Sequence, residues 1–219
     1  LRGGAEQAGM EPAQVVFASG IDPEDQARAD FYALLARLYA AEPDAALLQS
    51  IAGADELTVD EGNVEGETLA EAWRMLIAAS AVMDAEAAAA EYVDLFVGVG
   101  ASEVSPYASA YEKTPGRQPL VEIRAALAGL GLSRQPGNVL YEDHLAAVFA
   151  TMRVLITGAG APGSFAFDAQ RAFFATHVDP WVDSCCNAIY GRAIANYYKR
   201  VAQLTKAFMA IERDSFAIG

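Results

Sequence analysis

Apolar residues recur in this chain at three- and four-residue spacing, and no segment alternates apolar with polar as a half-buried strand must. That pattern restricts the chain to helices packed on helices. The clearest stripes are Phe31, Leu34, Leu35 and Leu38; Leu69, Trp73, Leu76 and Ile77; Leu145, Val148, Phe149, Met152 and Leu155; and Tyr197, Tyr198, Val201, Leu204, Phe208 and Ile211. Each turns one face to a core and the other to water, which puts Arg28 and Arg37 on the wet side of the first stripe. Asp22-Pro23-Glu24-Asp25 marks a helix start, with a capping side chain, a proline at the first helical position and early carboxylates. Further helices are expected over Glu142–Ile156 and Ala193–Glu212.

One stretch breaks the pattern. Gly98, Gly100, Pro106, Pro115, Gly116 and Pro119 are too densely placed for any long helix, so 98–119 reads as a hinge or a binding loop. The expected organisation is an irregular segment over 1–21, in part a tag remnant, then a single all-helical, bundle-like domain over 22–213 containing that hinge. A C-terminal tail over 214–219 completes it.

With 219 residues and 53% of them hydrophobic, the chain can bury a core without metal or disulfide staples. A net charge of −14 repels phosphates and anionic lipid at long range, so a nucleic-acid partner is not expected. The same field would draw in a basic partner, although acidic surfaces also serve solubility alone. Cys185 and Cys186 are adjacent in a helical pattern, where a mutual disulfide is disfavoured, and this fits a reducing cytoplasm. Neither an apolar run long enough to span a membrane nor a basic start followed by an apolar run is present, so membrane insertion is not expected.

Chemistry-bearing patterns are sparse. His144 and His177 lack metal-ligand spacing, and no phosphate-binding glycine loop or nucleophile elbow occurs, so neither a metal nor a cofactor is expected. Glu142-Asp143-His144 is the one titratable cluster at an element boundary. It reads either as an acid/base pair or as carboxylates in a first helical turn, where unsatisfied amides contribute about 0.3–1 kcal/mol. Ser105 to Tyr111 places two tyrosines and two hydroxyls on a proline-anchored loop. Such a loop either binds a partner or seals the core beneath it with Tyr107 and Tyr111.

Five pieces stand in order: Glu91-Tyr92-Val93-Asp94-Leu95-Phe96-Val97-Gly98, Pro106-Tyr107-x-Ser109, Glu142-Asp143-His144, His177-Val178-Asp179-Pro180-Trp181 and Asn196-Tyr197-Tyr198. Together they resemble the TorD/DmsD/NarJ family of redox-enzyme maturation chaperones, over about Arg28 to Glu212. Many members carry Glu-Pro-x-Asp-His where this chain has Leu140-Tyr141-Glu142-Asp143-His144, so the Glu-Pro is missing and a different branch is indicated. The run from Glu142 to Ile156 looks like that of chaperones serving formate-dehydrogenase-type molybdoenzymes.

The resemblance implies a cytoplasmic chaperone and no enzyme. It would bind the twin-arginine leader or N-terminal segment of a molybdopterin oxidoreductase during cofactor insertion, before export or assembly. By the same resemblance Asp143 and His144, with Glu142, recognise the peptide, and Pro106, Tyr107 and Ser109 shape the adjoining surface. The chain would act as a monomer or as a dimer swapped through the hinge. Two other readings stay open: a structural helical subunit of a redox complex, and an acid/base enzyme built on Asp143 and His144.

Overall fold

Helix starts follow the capping chemistry of the sequence. The Asp22 carboxylate accepts from the Glu24 N–H at 2.9 Å and Pro23 opens α1, Pro23–Ala40. Asp44 accepts from Leu47 to start α2, Ala45–Ala52. Asn63 and Asp84 do the same for α3, Val64–Val82, and α4, Ala85–Tyr92. The computed structural model describes residues 21–59, 62–98, 102–135, 137–158 and 165–218. The irregular segment expected over 1–21 therefore lies outside the described residues except for Ile21, as does Gly100 of the hinge.

After α4 the chain widens into a π-helical turn, Val93–Val97, which stops at Gly98, where a φ of 66° requires glycine's freedom. The helices that follow are α5, Pro119–Gly129, α6, Leu145–Thr157, and α7, Phe167–Phe173. A second π-helical turn, Phe174–Val178, leads into α8, Asp179–Tyr190, and the chain closes with α9, Tyr197–Ile218. Among the described residues there is no strand, only one isolated bridge between Tyr107 and His144. The fold is all-α, as the periodicity predicts.

Packing makes two layers of one core. α1 lies along α6, while α9 runs between α3 and α8. α3 and α9 are antiparallel, since Ser80 near the end of one meets the Tyr197 hydroxyl at the start of the other, 3.0 Å away. Tyr32, Leu35 and Leu38 of α1 are fully buried. Each such side chain contributes about 1.5–3 kcal/mol by leaving water.

Two expectations are corrected. Arg28 is not on a wet face: it is 7% exposed, and its guanidinium donates to both oxygens of Glu212, at 2.7 and 3.0 Å. Glu212 is itself fully buried and accepts from the Tyr32 hydroxyl as well. The flat guanidinium lies 5.2 Å from the Phe216 ring centroid, so this arginine is part of the interior. Nor do residues 214–218 form a tail, because α9 continues through Ile218. Phe216 holds it there, packed between the rings of Phe167 and Phe174 at 5.1 and 5.0 Å.

Candidate functional site: the joint between the loop and α6

α6 begins at Leu145, three residues later than the sequence predicts, because His144 is its cap: the imidazole Nδ1 accepts from the Ala146 N–H at 3.1 Å. Glu142 and Asp143 consequently sit in the turn before the helix and not in its first turn. The proline-anchored loop pairs with this turn edge to edge. Ala108 N–H donates to the Asp143 carbonyl at 2.9 Å, and Leu145 N–H donates to the Pro106 carbonyl at 2.8 Å. These two bonds flank the Tyr107–His144 bridge.

Side chains lock what the backbone aligns. One Asp143 oxygen accepts from the Ser109 hydroxyl at 2.5 Å and from the Ser109 N–H at 3.3 Å. The Tyr107 ring meets the His144 ring edge-on at 4.8 Å. Asp143 and His144 are each only 2% exposed. Burial pushes the His144 imidazole down to about 4, so it is neutral near pH 7, and with Nδ1 accepting a bond its proton resides on Nε2.

All six residues expected at the site do come together, but not as one exposed surface. Asp143, His144 and Pro106 are buried, Tyr107 and Glu142 are half-buried, and Ser109 is exposed. The Asp143 and His144 side chains are drawn inward by their bonds to Ser109 and Ala146. Glu142 is held at 3.0 Å by Arg124. What the surface offers is aromatic: Tyr141, 52% exposed, lies 6.4 Å from Tyr107. Sequence reasoning passed over Tyr141, whose only signal was its place beside the acidic pair.

The other motif pieces serve as neighbouring joints. Tyr111 stacks on Trp181 at 5.8 Å and donates its hydroxyl to the Ser105 carbonyl, fixing the far end of the loop to α8. Val104 N–H bonds the Leu95 carbonyl at 2.9 Å. Glu91 accepts from the backbone N–H groups of Asn196, Tyr197 and Tyr198, which caps α9 from a distant helix. The two cysteines are free and buried, and burial pushes the Cys185 thiol up to about 12. Among the described residues no group of three or more His, Cys, Asp or Glu could hold a metal ion, and no helix is long and apolar enough to cross a membrane.

Fold and joint define the class: an all-helical protein in which motifs of the TorD, DmsD and NarJ kind close on one another. A family model described as "Nitrate reductase delta subunit" matches residues 64–187, more than half of the chain, and the chain belongs to this family, that of TorD and NarJ. It is also similar to the protein named "Chaperone protein TorD" of Shewanella loihica. The two are 27% identical over 205 residues, covering 88% of this chain and 94% of that one.

Proposed function

We propose that the chain is a molybdoenzyme maturation chaperone that acts in the cytoplasm and binds the twin-arginine leader, or the N-terminal segment, of its client. The observation that carries this reading is the joint itself. It brings the Pro106-Tyr107-x-Ser109 and Asp143-His144 pieces into one structure and leaves Tyr107, Tyr141 and Ser109 at its outer edge. Large aromatic faces at a rim are the side chains that anchor peptides most effectively. Asp143 and His144 then work from beneath, holding the loop in register. A client of the formate-dehydrogenase type is the narrower proposal, and it rests on the run from Glu142 to Ile156.

Calorimetric titration with the twin-arginine leader of a formate-dehydrogenase-type molybdoenzyme, and with that full-length enzyme, tests the reading. Tyr107→Ala and Tyr141→Ala should each weaken binding about tenfold, or about 1.4 kcal/mol, with an unchanged helical spectrum. Asp143→Ala should weaken it by about ten- to a hundredfold through loss of the Ser109 contact. Failure of the wild type to bind either that leader or the full client would end the proposal. The acid/base reading finds less support, because the Asp143 and His144 side chains are engaged by Ser109 and Ala146 and are closed to a substrate.

A further inference from the structure

The turn before α6 carries a small site that is already filled from within the chain. Arg124, exposed on α5, donates its Nε–H to Glu142 Oε2 at 3.0 Å, and its guanidinium carbon lies 6.0 Å from the centre of the Tyr141 ring. A carboxylate beside an aromatic face is what a guanidinium recognises, because that group is at once a planar fork of donors and a weakly hydrated cation that packs on rings. The Glu142 side chain is 12% exposed and that of Arg124 47%, so the arginine lies over the carboxylate as a cover.

The cover is loosely held. Arg28 grips both oxygens of Glu212, whereas Arg124 uses one nitrogen and one oxygen. Its two terminal nitrogens and Glu142 Oε1 have no hydrogen-bond partner among the described residues. α5 buries Ile123 and Leu127 and packs on the short turn Ala108–Ala110 of the loop, which leaves Arg124 on its outer side. A long side chain in that position can leave by rotation about its own bonds, with the helix unmoved. Glu142 also borders a hollow of about 420 Å³ between α1 and α6, where the other charged groups are Arg134 and Arg153. Those two repel a further cation, so a guanidinium from outside is best placed where Arg124 now stands, against the open face of Tyr141.

We propose that Arg124 is an internal stand-in for an arginine of the client. It occupies the Glu142–Tyr141 site in the free chain and yields it when the leader docks. A client arginine that forks both Glu142 oxygens, and is anchored further along at Tyr107, displaces an occupant held by one bond. A lysine brings no fork and gains little over Arg124, so the exchange selects arginine. The inference rests on the reading that an arginine-bearing leader docks at the joint, and it adds the site of one guanidinium and the internal contact that must be given up for it.

The test uses the full chain and the twin-arginine leader peptide, with calorimetry and the ¹⁵N signals of the arginine Nε–H groups as readouts. Arg124→Gln removes the competitor and should tighten leader binding roughly three- to fivefold, with an unchanged helical spectrum. Glu142→Gln should weaken binding about tenfold. Adding Arg124→Gln to Glu142→Gln should bring no further gain, because the competition runs through that carboxylate. In the wild type, saturating leader should move the Arg124 Nε–H signal to the position it takes in Glu142→Gln.

Weaker or unchanged leader binding by Arg124→Gln overturns the inference and leaves the leader reading standing. The same gain from Arg124→Gln with Glu142 already replaced, or an Arg124 signal that saturating leader does not move, does likewise. Failure of the wild type to bind either the leader or the full-length enzyme removes both readings together.

Discussion

Two buried polar joints hold this molecule together, and they are built on opposite principles. Arg28 and Glu212 form a complete ion pair between α1 and α9, with Tyr32 and Gln170 filling further bonding positions. The joint at α6 contains a buried carboxylate, Asp143, that is satisfied by the hydroxyl and amide of Ser109 and has no cation against it among the described residues. A neutral imidazole lies beside it. The first arrangement loses heavily if either member is removed, because the survivor is a buried charge. The second holds its carboxylate by hydrogen bonds alone, and the imidazole beside it responds to protons. A fixed clasp and an adjustable latch therefore share one core.

The largest expected effect comes from breaking the clasp. Glu212→Ala should cost about 3 kcal/mol in urea unfolding, since it leaves the buried Arg28 guanidinium with only the partly exposed Asp25, 2.8 Å away, as a charged partner. A loss under 1 kcal/mol would mean that water reaches Arg28 and that the contrast between the joints is false.

Acid should act on the latch next. An unfolded imidazole titrates near 6.5, whereas burial holds His144 at about 4, so the unfolded chain takes up the proton first. The contribution is complete above about pH 6.5 and is lost progressively as pH falls toward 4, by at most about 3 kcal/mol. Burial also lowers His177, which adds in the same direction. His144→Asn keeps a good helix cap without a titrating ring, so its stability profile should be flatter between pH 6.5 and 4 than that of wild type. Parallel profiles would separate the latch from this acid response.

Ser109→Ala should cost about 2 kcal/mol by leaving an Asp143 oxygen short of its donor. Amide exchange should show where the damage lies: Ala108 and Leu145 should speed up, while the amides of α9 should not. At the small end, Arg171→Ala removes an exposed i,i+3 pair with Asp168 and should shift stability by about 0.5 kcal/mol or less. That substitution calibrates how much of each larger effect is due to burial.

The clasp and the latch also differ in how far they were legible in the sequence. Helix class, the α1 start at Asp22-Pro23 and the apolar stripe of Leu35 and Leu38 follow from local chemistry, and the structure bears them out. Arg28 does not, because its burial depends on Glu212, 184 residues away, and on two phenylalanine rings no periodicity connects to it. The same distance hid the continuation of α9 to Ile218. At the latch, motif order did bring Ser109, Asp143 and His144 to one place. What it left open was the direction of the side chains: a histidine that caps its own helix and an aspartate that binds a loop serine both turn inward, and the sequence contains no sign of that turn.

The Glu91 carboxylate, which accepts three N–H groups at the start of α9, sits more than a hundred residues upstream of them. The other end of α9 is received by Arg28, near the beginning of the chain. During synthesis α9 emerges after both of its fastenings, which stand in segments made much earlier. Until α9 is complete, the facing surfaces of α3 and α8 have nothing between them. This helix is thus the bolt of the fold, and a nascent chain becomes competent only after α9 has emerged.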